Sequence, residues 1–279
     1  MITRFAPTPS GYLHLGNAVN AQLVAWLASS AGGDLLLRID DMDAPRSRPE
    51  YVQDIFDTLA WLGIEWNRGP ADPEDFVERH SLATRTEHYR AELEHARDRG
   101  LQVYACGCSR SRLRGPAVGG CPARCRGARL PFTPGTTALR VHVPLGTVVA
   151  VDGRDVPLAE SMGDFVVWRR DDAPAYQLAS VIEDRDAAVS HVVRGRDLIA
   201  STAAQLFLAP WLGAASLLEI DFRHHDLVAD PAGGKLSKSQ GLAGGPPSRT
   251  DGERDLVRAT AATLGEPLGI VPPSGLTPR

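Results

Sequence analysis

Three short stretches of this chain hold the residue types that phosphate and metal chemistry require. The first, Pro7-Thr8-Pro9-Ser10-Gly11-Tyr12-Leu13-His14-Leu15-Gly16-Asn17, joins a short extended segment to an apolar stretch of helical character. A helix that starts there presents free N–H groups and the positive end of its dipole, which suits the phosphates of a nucleotide. Gly16 permits a ligand to approach the backbone closely, and His14 is placed to hydrogen-bond a phosphate oxygen. The second stretch is Lys235-Leu236-Ser237-Lys238-Ser239, which holds the only two lysines among 30 basic residues. A compact ammonium on a flexible stem does what a planar guanidinium does poorly. Two ammonium groups and two hydroxyls on a glycine-flanked loop match a polyphosphate leaving group; a solvated surface loop is the alternative. The third is Cys106-x-Cys108, twelve residues, then Cys121-x3-Cys125. Two close pairs around a short loop can set four thiolates tetrahedrally about zinc with no open position, so the site would be structural rather than catalytic.

The elements that must position these groups are legible in outline. Ile2–Phe5 reads as a strand and the apolar run from Leu15 to Leu27 as a helix. A Gly32-Gly33 turn leads to a buried strand, Asp34–Asp40, and Pro49 opens a helix that Gly63 stops after Leu62. This alternation predicts a parallel sheet wound on both faces, with the ligand beyond the carboxyl ends of its strands, where the Pro7–Gly16 loop lies. Residues 101–137 carry all four cysteines and six arginines, Arg110, Arg112, Arg114, Arg124, Arg126 and Arg129, and read as a metal-stapled insertion. Those arginines could meet RNA phosphates or form a solvated face. Strands are expected at Ala138–Val143, Phe165–Arg169, Tyr176–Ile182 and His191–Arg194, a helix over Leu198–Leu212 before Gly213, and a modest helix over Arg254–Leu264. His80, His88 and His95 read as surface residues and Trp61 and Trp66 as core.

Composition narrows the class. The 279 residues are 43% hydrophobic and 23% charged, as in globular proteins. Apolar runs such as Leu23–Ala28 fall far short of a membrane span of about 20 residues. The start, Met1-Ile2-Thr3-Arg4-Phe5-Ala6-Pro7, has no apolar signal core, so a soluble, cytoplasmic protein with reduced thiols is expected. A net charge of −4 gives no global pull toward nucleic acid, so any RNA contact must be local.

Taken together, the motifs resemble a known family. The His14 loop resembles the HIGH signature, and Lys235–Ser239 the KMSKS signature, of class I aminoacyl-tRNA synthetases. Arg4-Phe5-Ala6-Pro7-Thr8-Pro9-Ser10-Gly11, Arg38-Ile39-Asp40-Asp41, the stretch from Phe165 through Tyr176, and Val193-Arg194-Gly195-Arg196-Asp197-Leu198 resemble the glutamyl-specific branch. The resemblance covers residues 3 to 241. With only residues 242–279 beyond it, no anticodon-binding domain is expected, and the chain is similar to the short glutamyl-Q tRNA(Asp) synthetase family.

The resemblance implies an α/β, Rossmann-type class I catalytic domain with a zinc-bearing insertion. Its first half would span 1–100, the insertion 101–137, the second half with the KMSKS loop 138–241, and a short tail 242–279. It implies ATP-dependent activation of L-glutamate and transfer to the queuosine base at the wobble position of tRNA(Asp), gripped through the anticodon stem-loop by a monomer. A minimal enzyme charging tRNA(Glu), or an inactive RNA-binding paralogue, is the alternative. By the same resemblance Arg4, Phe5, Ala6, Pro7, Thr8, Asp40, Tyr176 and Arg194 line the glutamate pocket. His14 and Lys238 act in catalysis, and His14, Gly16, Asn17, Lys235, Ser237, Lys238 and Ser239 hold ATP with its Mg²⁺. Cys106, Cys108, Cys121 and Cys125 hold structural Zn²⁺. Four positions depart from the family: Asp40 stands where Glu is usual, Cys121 where Tyr is common, Asn17 in place of a second His, and Ala203-Ala204 in place of Pro-Arg.

Overall fold

In the computed structural model, which describes residues 1–42, 46–108, 124–228 and 248–273, the chain forms two compact units. One comprises Met1–Thr84, Val189–Arg196 and Asp221–Arg279, the other Arg85–Ala188 and Asp197–Ile220.

The first unit is built on a four-stranded sheet. Its strands are β1 (Ile2–Phe5), β2 (Asp34–Leu37), β8 (His191–Gly195) and β9 (Asp221–His225), in the order β2-β1-β8-β9. All pairings are parallel, with Thr3 opposite both Leu35 and His191, and Arg194 opposite His224. Parallel strands are covered on both faces, so they read as apolar runs, as Leu35–Leu37 and Val192-Val193 do. From β1 the chain crosses to β2 on one side, while β8 and β9 lie on the other. The carboxyl end of β1 is therefore the switch point at which such sheets bind ligands.

Helices α1 (Leu15–Ser30), α2 (Pro49–Leu62) and α9 (Asp251–Gly265) complete this unit. Leu23, Val24, Leu37, Ile39, Ile55 and Leu59 belong to one buried core, and Trp61 and Trp66 pack partly buried against it, as expected. Helix α2 starts with Pro49 at its first turn and ends at Gly63 in the left-handed conformation. Strand β2 is shorter than expected: after Leu37 the chain passes Gly69, where a Cβ would sit 2.0 Å from the Leu37 carbonyl oxygen. Only a glycine permits that approach. A short helix α3 (Pro73–Asp75) and a π-helical turn, Phe76–His80, follow α2.

The second unit is mostly antiparallel. Strand β4 (Ala138–Val141) lies between β3 (Val103–Cys106) and β7 (Val166–Trp168), and β5 (Val148–Val151) and β6 (Arg154–Pro157) form a hairpin. The hairpin turns at Asp152-Gly153, both at positive φ, as a tight right-twisting turn requires. Its helices are α4 (Thr86–Asp98), the single turns α5 (Arg124–Gly127) and α6 (Leu158–Ser161), α7 (Tyr176–Asp186) and α8 (Ile199–Leu208).

Two expectations are corrected. Tyr176–Ile182 is helix, not strand: Leu178, Ala179, Val181 and Ile182 are all fully buried, so burial on several faces hides the helical period, and the turn continues through Glu183–Asp186. Helix α8 ends at Leu208 rather than Leu212: Ala209 keeps right-handed helical angles, but Pro210 has no N–H with which to continue the hydrogen-bond ladder. Among the described residues no helix is long and apolar enough to cross a membrane.

Candidate active site

Of the residues named for the glutamate pocket, those of the first unit lie at or just beyond the carboxyl ends of its parallel strands. Arg4 and Phe5 close β1, and Arg194 is near the end of β8. Beyond β2 the pairing continues irregularly: the Arg38 N–H donates to the Phe5 carbonyl at 3.0 Å and the Asp40 N–H to the Pro7 carbonyl at 2.9 Å. Asp40 is thereby set beside Phe5, Ala6 and Pro7, with Thr8 next along the chain. Arg4, Arg38, Arg194 and Asp40 are all at most 5% exposed. Guanidinium groups such as those of Arg4 and Arg194 bind carboxylates through charge-assisted, two-pronged hydrogen bonds. The Arg194 guanidinium lies over the Phe222 ring, 5.0 Å from its centroid. Tyr176 opens helix α7 in the second unit.

Arg38 is a site residue that no role was assigned from sequence. Its Nε donates to Asp40 Oδ1 at 2.7 Å and its terminal nitrogen to Oδ2 at 3.3 Å. An Arg-x-Asp pair on an extended segment puts both side chains on one face, and that spacing was the available signal. Asp41 points elsewhere. Its carboxylate accepts the Ser81 hydroxyl at 2.5 Å and the Leu82 and Ala83 amides at 2.8 and 3.2 Å. Burial pushes its pKa up against the pull of these bonds.

His14 is the N-cap of α1, and the cap fixes its chemistry. The Asn17 N–H donates to His14 Nδ1 at 3.3 Å, while the His14 N–H donates to Asn17 Oδ1 at 3.2 Å. Because a backbone N–H can only donate, Nδ1 is the acceptor and the neutral ring carries its proton on Nε2. That nitrogen is then a donor, as a phosphate oxygen needs. Gly16 has a steric reason beyond ligand approach: a Cβ there would lie 3.1–3.2 Å from the His14 ring. No acidic residue occupies the first turn of α1 itself, which leaves the helix's own positive end suited to an anion.

Three of the four cysteines converge in the second unit. The sulfurs of Cys106 at the end of β3, Cys108, and Cys125 in α5 lie within 4.8 Å of one another, with Cys108 and Cys125 Sγ 3.5 Å apart. Thiolates around tetrahedral zinc stand about 3.8 Å apart, given Zn–S bonds of about 2.3 Å, so these three fit such an ion. The Cys108 N–H points at Cys106 Sγ, 3.4 Å away. Around them, Arg170 donates to the Cys108 carbonyl at 2.5 Å and Arg126 pairs with the buried Asp164 at 3.0 Å. Cys121 lies outside the described residues, as do Lys235, Ser237, Lys238 and Ser239, and Arg110, Arg112 and Arg114.

The remaining sequence candidates are accounted for by packing. His80 and His88 are partly exposed and His95 is exposed, as expected. Ala203 and Ala204 are fully buried in α8.

Comparison with known proteins follows this geometry. The sequence pattern of tRNA synthetases class I (E and Q), catalytic domain, matches residues 1–116 and 132–265. A glutamyl-Q tRNA(Asp) synthetase of Burkholderia cenocepacia is 39% identical, over 94% of this chain and 87% of that protein. One of Pseudomonas syringae pv. syringae is 39% identical, over 96% of this chain and 85% of its own length. Among solved structures, a glutamate tRNA ligase from Elizabethkingia meningosepticum in complex with its amino acid superposes with a TM-score of 0.70 at 26% identity, covering 88% of this chain. The chain spans 53% of that protein, about half its length.

Proposed function

The chain belongs to the family of class I tRNA synthetase catalytic domains of the E and Q type, and on that premise we propose that it activates L-glutamate with ATP and transfers it to the queuosine base at the wobble position of tRNA(Asp). The observation that carries this reading is the set of buried Arg4, Arg38, Arg194 and Asp40 at the strand ends beside the capped His14 loop. The two carboxylates of glutamate suit the guanidinium groups of Arg4 and Arg194, and its ammonium suits Asp40. The names of the relatives that are 39% identical, glutamyl-Q tRNA(Asp) synthetases, support this choice of acceptor.

Two steps follow. An oxygen of the glutamate α-carboxylate attacks the α-phosphorus of ATP, and the bond to the β-phosphate oxygen breaks with loss of pyrophosphate. A hydroxyl of the queuosine cyclopentenediol then attacks the activated carbonyl, AMP leaves with the bonding pair, and the hydroxyl proton passes to solvent or to the departing phosphate. Arg4, Arg194 and Tyr176, with the backbone from Phe5 to Thr8, would hold the glutamate carboxylates and Asp40 its ammonium. The Nε2 proton of His14, Gly16 and Asn17 at the start of α1, and Lys235, Ser237, Lys238 and Ser239 would hold the phosphates as charge builds on the leaving group. Mg²⁺ bound with ATP would screen that charge. A zinc ion on Cys106, Cys108, Cys125 and Cys121 would staple the segment that carries them.

The test is transfer of labelled glutamate to tRNA(Asp) with and without queuosine, and to tRNA(Glu), each also trimmed of its terminal adenosine. Digestion to nucleosides and mass analysis then locates the ester. Labelling that needs queuosine and survives trimming supports the proposal. Labelling of intact tRNA(Glu) alone replaces it with ordinary charging, and no labelling despite glutamate-dependent pyrophosphate exchange replaces the acceptor.

A further inference from the structure

None of the steps above uses Asp54, which sits inside helix α2 and is 2% exposed. Its Oδ2 accepts the Leu13 N–H at 2.7 Å, the amide immediately before His14. Its Oδ1 takes a hydrogen-bonded ion pair from Arg249, which also donates to the Asp54 carbonyl at 3.3 Å and to Thr58 Oγ1 at 3.2 Å. Arg249 directly precedes Thr250, the N-cap of α9. Burying a carboxylate in a helix interior is costly, and apolar packing at that position would hold α2 as well or better. Here the acid meets the loop backbone one residue from the group assigned to the phosphates.

The entry of the loop into α1 is thus held at three points. Leu13 is fixed through Asp54, the His14 amide through Asn17 Oδ1, and the His14 ring through the Asn17 N–H. Releasing the first frees the Tyr12–Leu13 peptide plane, one residue ahead of the His14 amide, and lets the ring shift from the phosphate it would meet. We propose that Asp54 is a positioning residue for the ATP step, fixing the Leu13 amide and through it the His14 ring, with Arg249 as its counter-ion. The proposal rests on the reading of the preceding section, in which His14 serves ATP.

The experiment compares wild type, Asp54→Asn and the double variant Asp54→Leu/Arg249→Met in glutamate-dependent exchange of pyrophosphate into ATP. Removing both charges together leaves no buried ion uncompensated, which preserves folding. The double variant is expected to lose tenfold or more in kcat/KM for ATP while its KM for glutamate stays within twofold. Asp54→Asn, whose amide oxygen still accepts the Leu13 N–H, recovers most of that loss. A wild-type kcat/KM for ATP in the folded double variant, or an Asn variant as impaired as the double one, overturns the proposal. If the wild type shows no glutamate-dependent exchange, the functional reading fails instead. Positioning is then read from hydrogen exchange at the Leu13 amide, slow in wild type and Asp54→Asn and fast in the double variant; equal rates overturn it.

Discussion

Arg38 and Asp40 face each other as a two-pronged ion pair, 2.7 and 3.3 Å across, with side chains 5% and 3% exposed. The carboxylate expected to meet a substrate ammonium is therefore already half engaged by the protein itself. A carboxylate offers about four acceptor positions, and Arg38 uses two, so an ammonium can share the group. This pairing also orients a side chain one methylene shorter than the family's usual Glu.

Removing one partner takes this two-pronged pairing away from a charge that stays buried. Asp40→Ala is expected to lower the unfolding free energy by about 3–5 kcal/mol, and Arg38→Met by a similar amount, read by urea denaturation. In pyrophosphate exchange, Asp40→Asn raises KM for glutamate at least tenfold and leaves KM for ATP within twofold. Equal effects on both substrates remove Asp40 from the ammonium site.

The helix cap makes a separate prediction. Asn17→Ala deletes the acceptor for the His14 N–H and costs about 1 kcal/mol of stability. It also loosens the ring, so kcat/KM for ATP falls. Since Asn17 fixes His14 and would also hold the phosphates, the His14→Ala/Asn17→Ala double variant is expected to lose more kcat/KM for ATP than His14→Ala alone. A double variant no worse than His14→Ala would mean that Asn17 acts only through His14.

Much of the first unit was legible because its signals are local. Pro49 and Gly63 bracket α2, the His14-x-x-Asn17 spacing marks the start of α1, and the apolar runs give the buried strands. Helix α7 was misread because burial on several faces removes the period that distinguishes helix from strand. Strand β9, Asp221–His225, carries two histidines and an arginine, and only its parallel partner β8 reveals it. Helix α9 begins three residues before its expected start, at a Thr250–Glu253 capping box that was readable and unread. In the site, Arg4, Asp40, Arg194 and His14 were named from sequence. Asp54 and Arg249 were not, because their roles come from partners 41 and 195 residues away, whereas the Arg38-x-Asp40 spacing carried a local signal for Arg38.

Cysteine chemistry supplies the third prediction. The purified protein is expected to carry one zinc per chain by elemental analysis, and Cys125→Ser to lose it. Chelation lowers the thermal midpoint and does so less in Cys125→Ser, because metal binding and folding share one free energy. A metal-free protein with the full midpoint would make the three sulfurs a packing feature only.

The last prediction concerns acid stability, where the partly buried Glu92 and the buried Asp41 behave oppositely. The Arg185 guanidinium donates to Glu92 Oε2 at 2.7 Å and to the Leu212 carbonyl at 2.7 Å. The hydrogen bond from Arg185 outweighs partial burial and holds the Glu92 pKa below its usual value. A depressed folded pKa stabilises the fold above the unfolded pKa, and that contribution is lost as pH falls through the folded value. The stability difference between wild type and Glu92→Gln is therefore expected to be full at pH 7 and to shrink below about pH 4. Asp41 has the opposite sign: burial raises its pKa despite bonds to Ser81, Leu82 and Ala83. Its protonated form is favoured in the fold, a gain present below the unfolded pKa and lost as pH rises through the folded one. Relative to Asp41→Asn, wild type should gain stability on acidification while it loses ground to Glu92→Gln. Parallel urea titrations at pH 7, 5 and 3.5 check both, and curves that move together would mean that neither pair governs the acid limb.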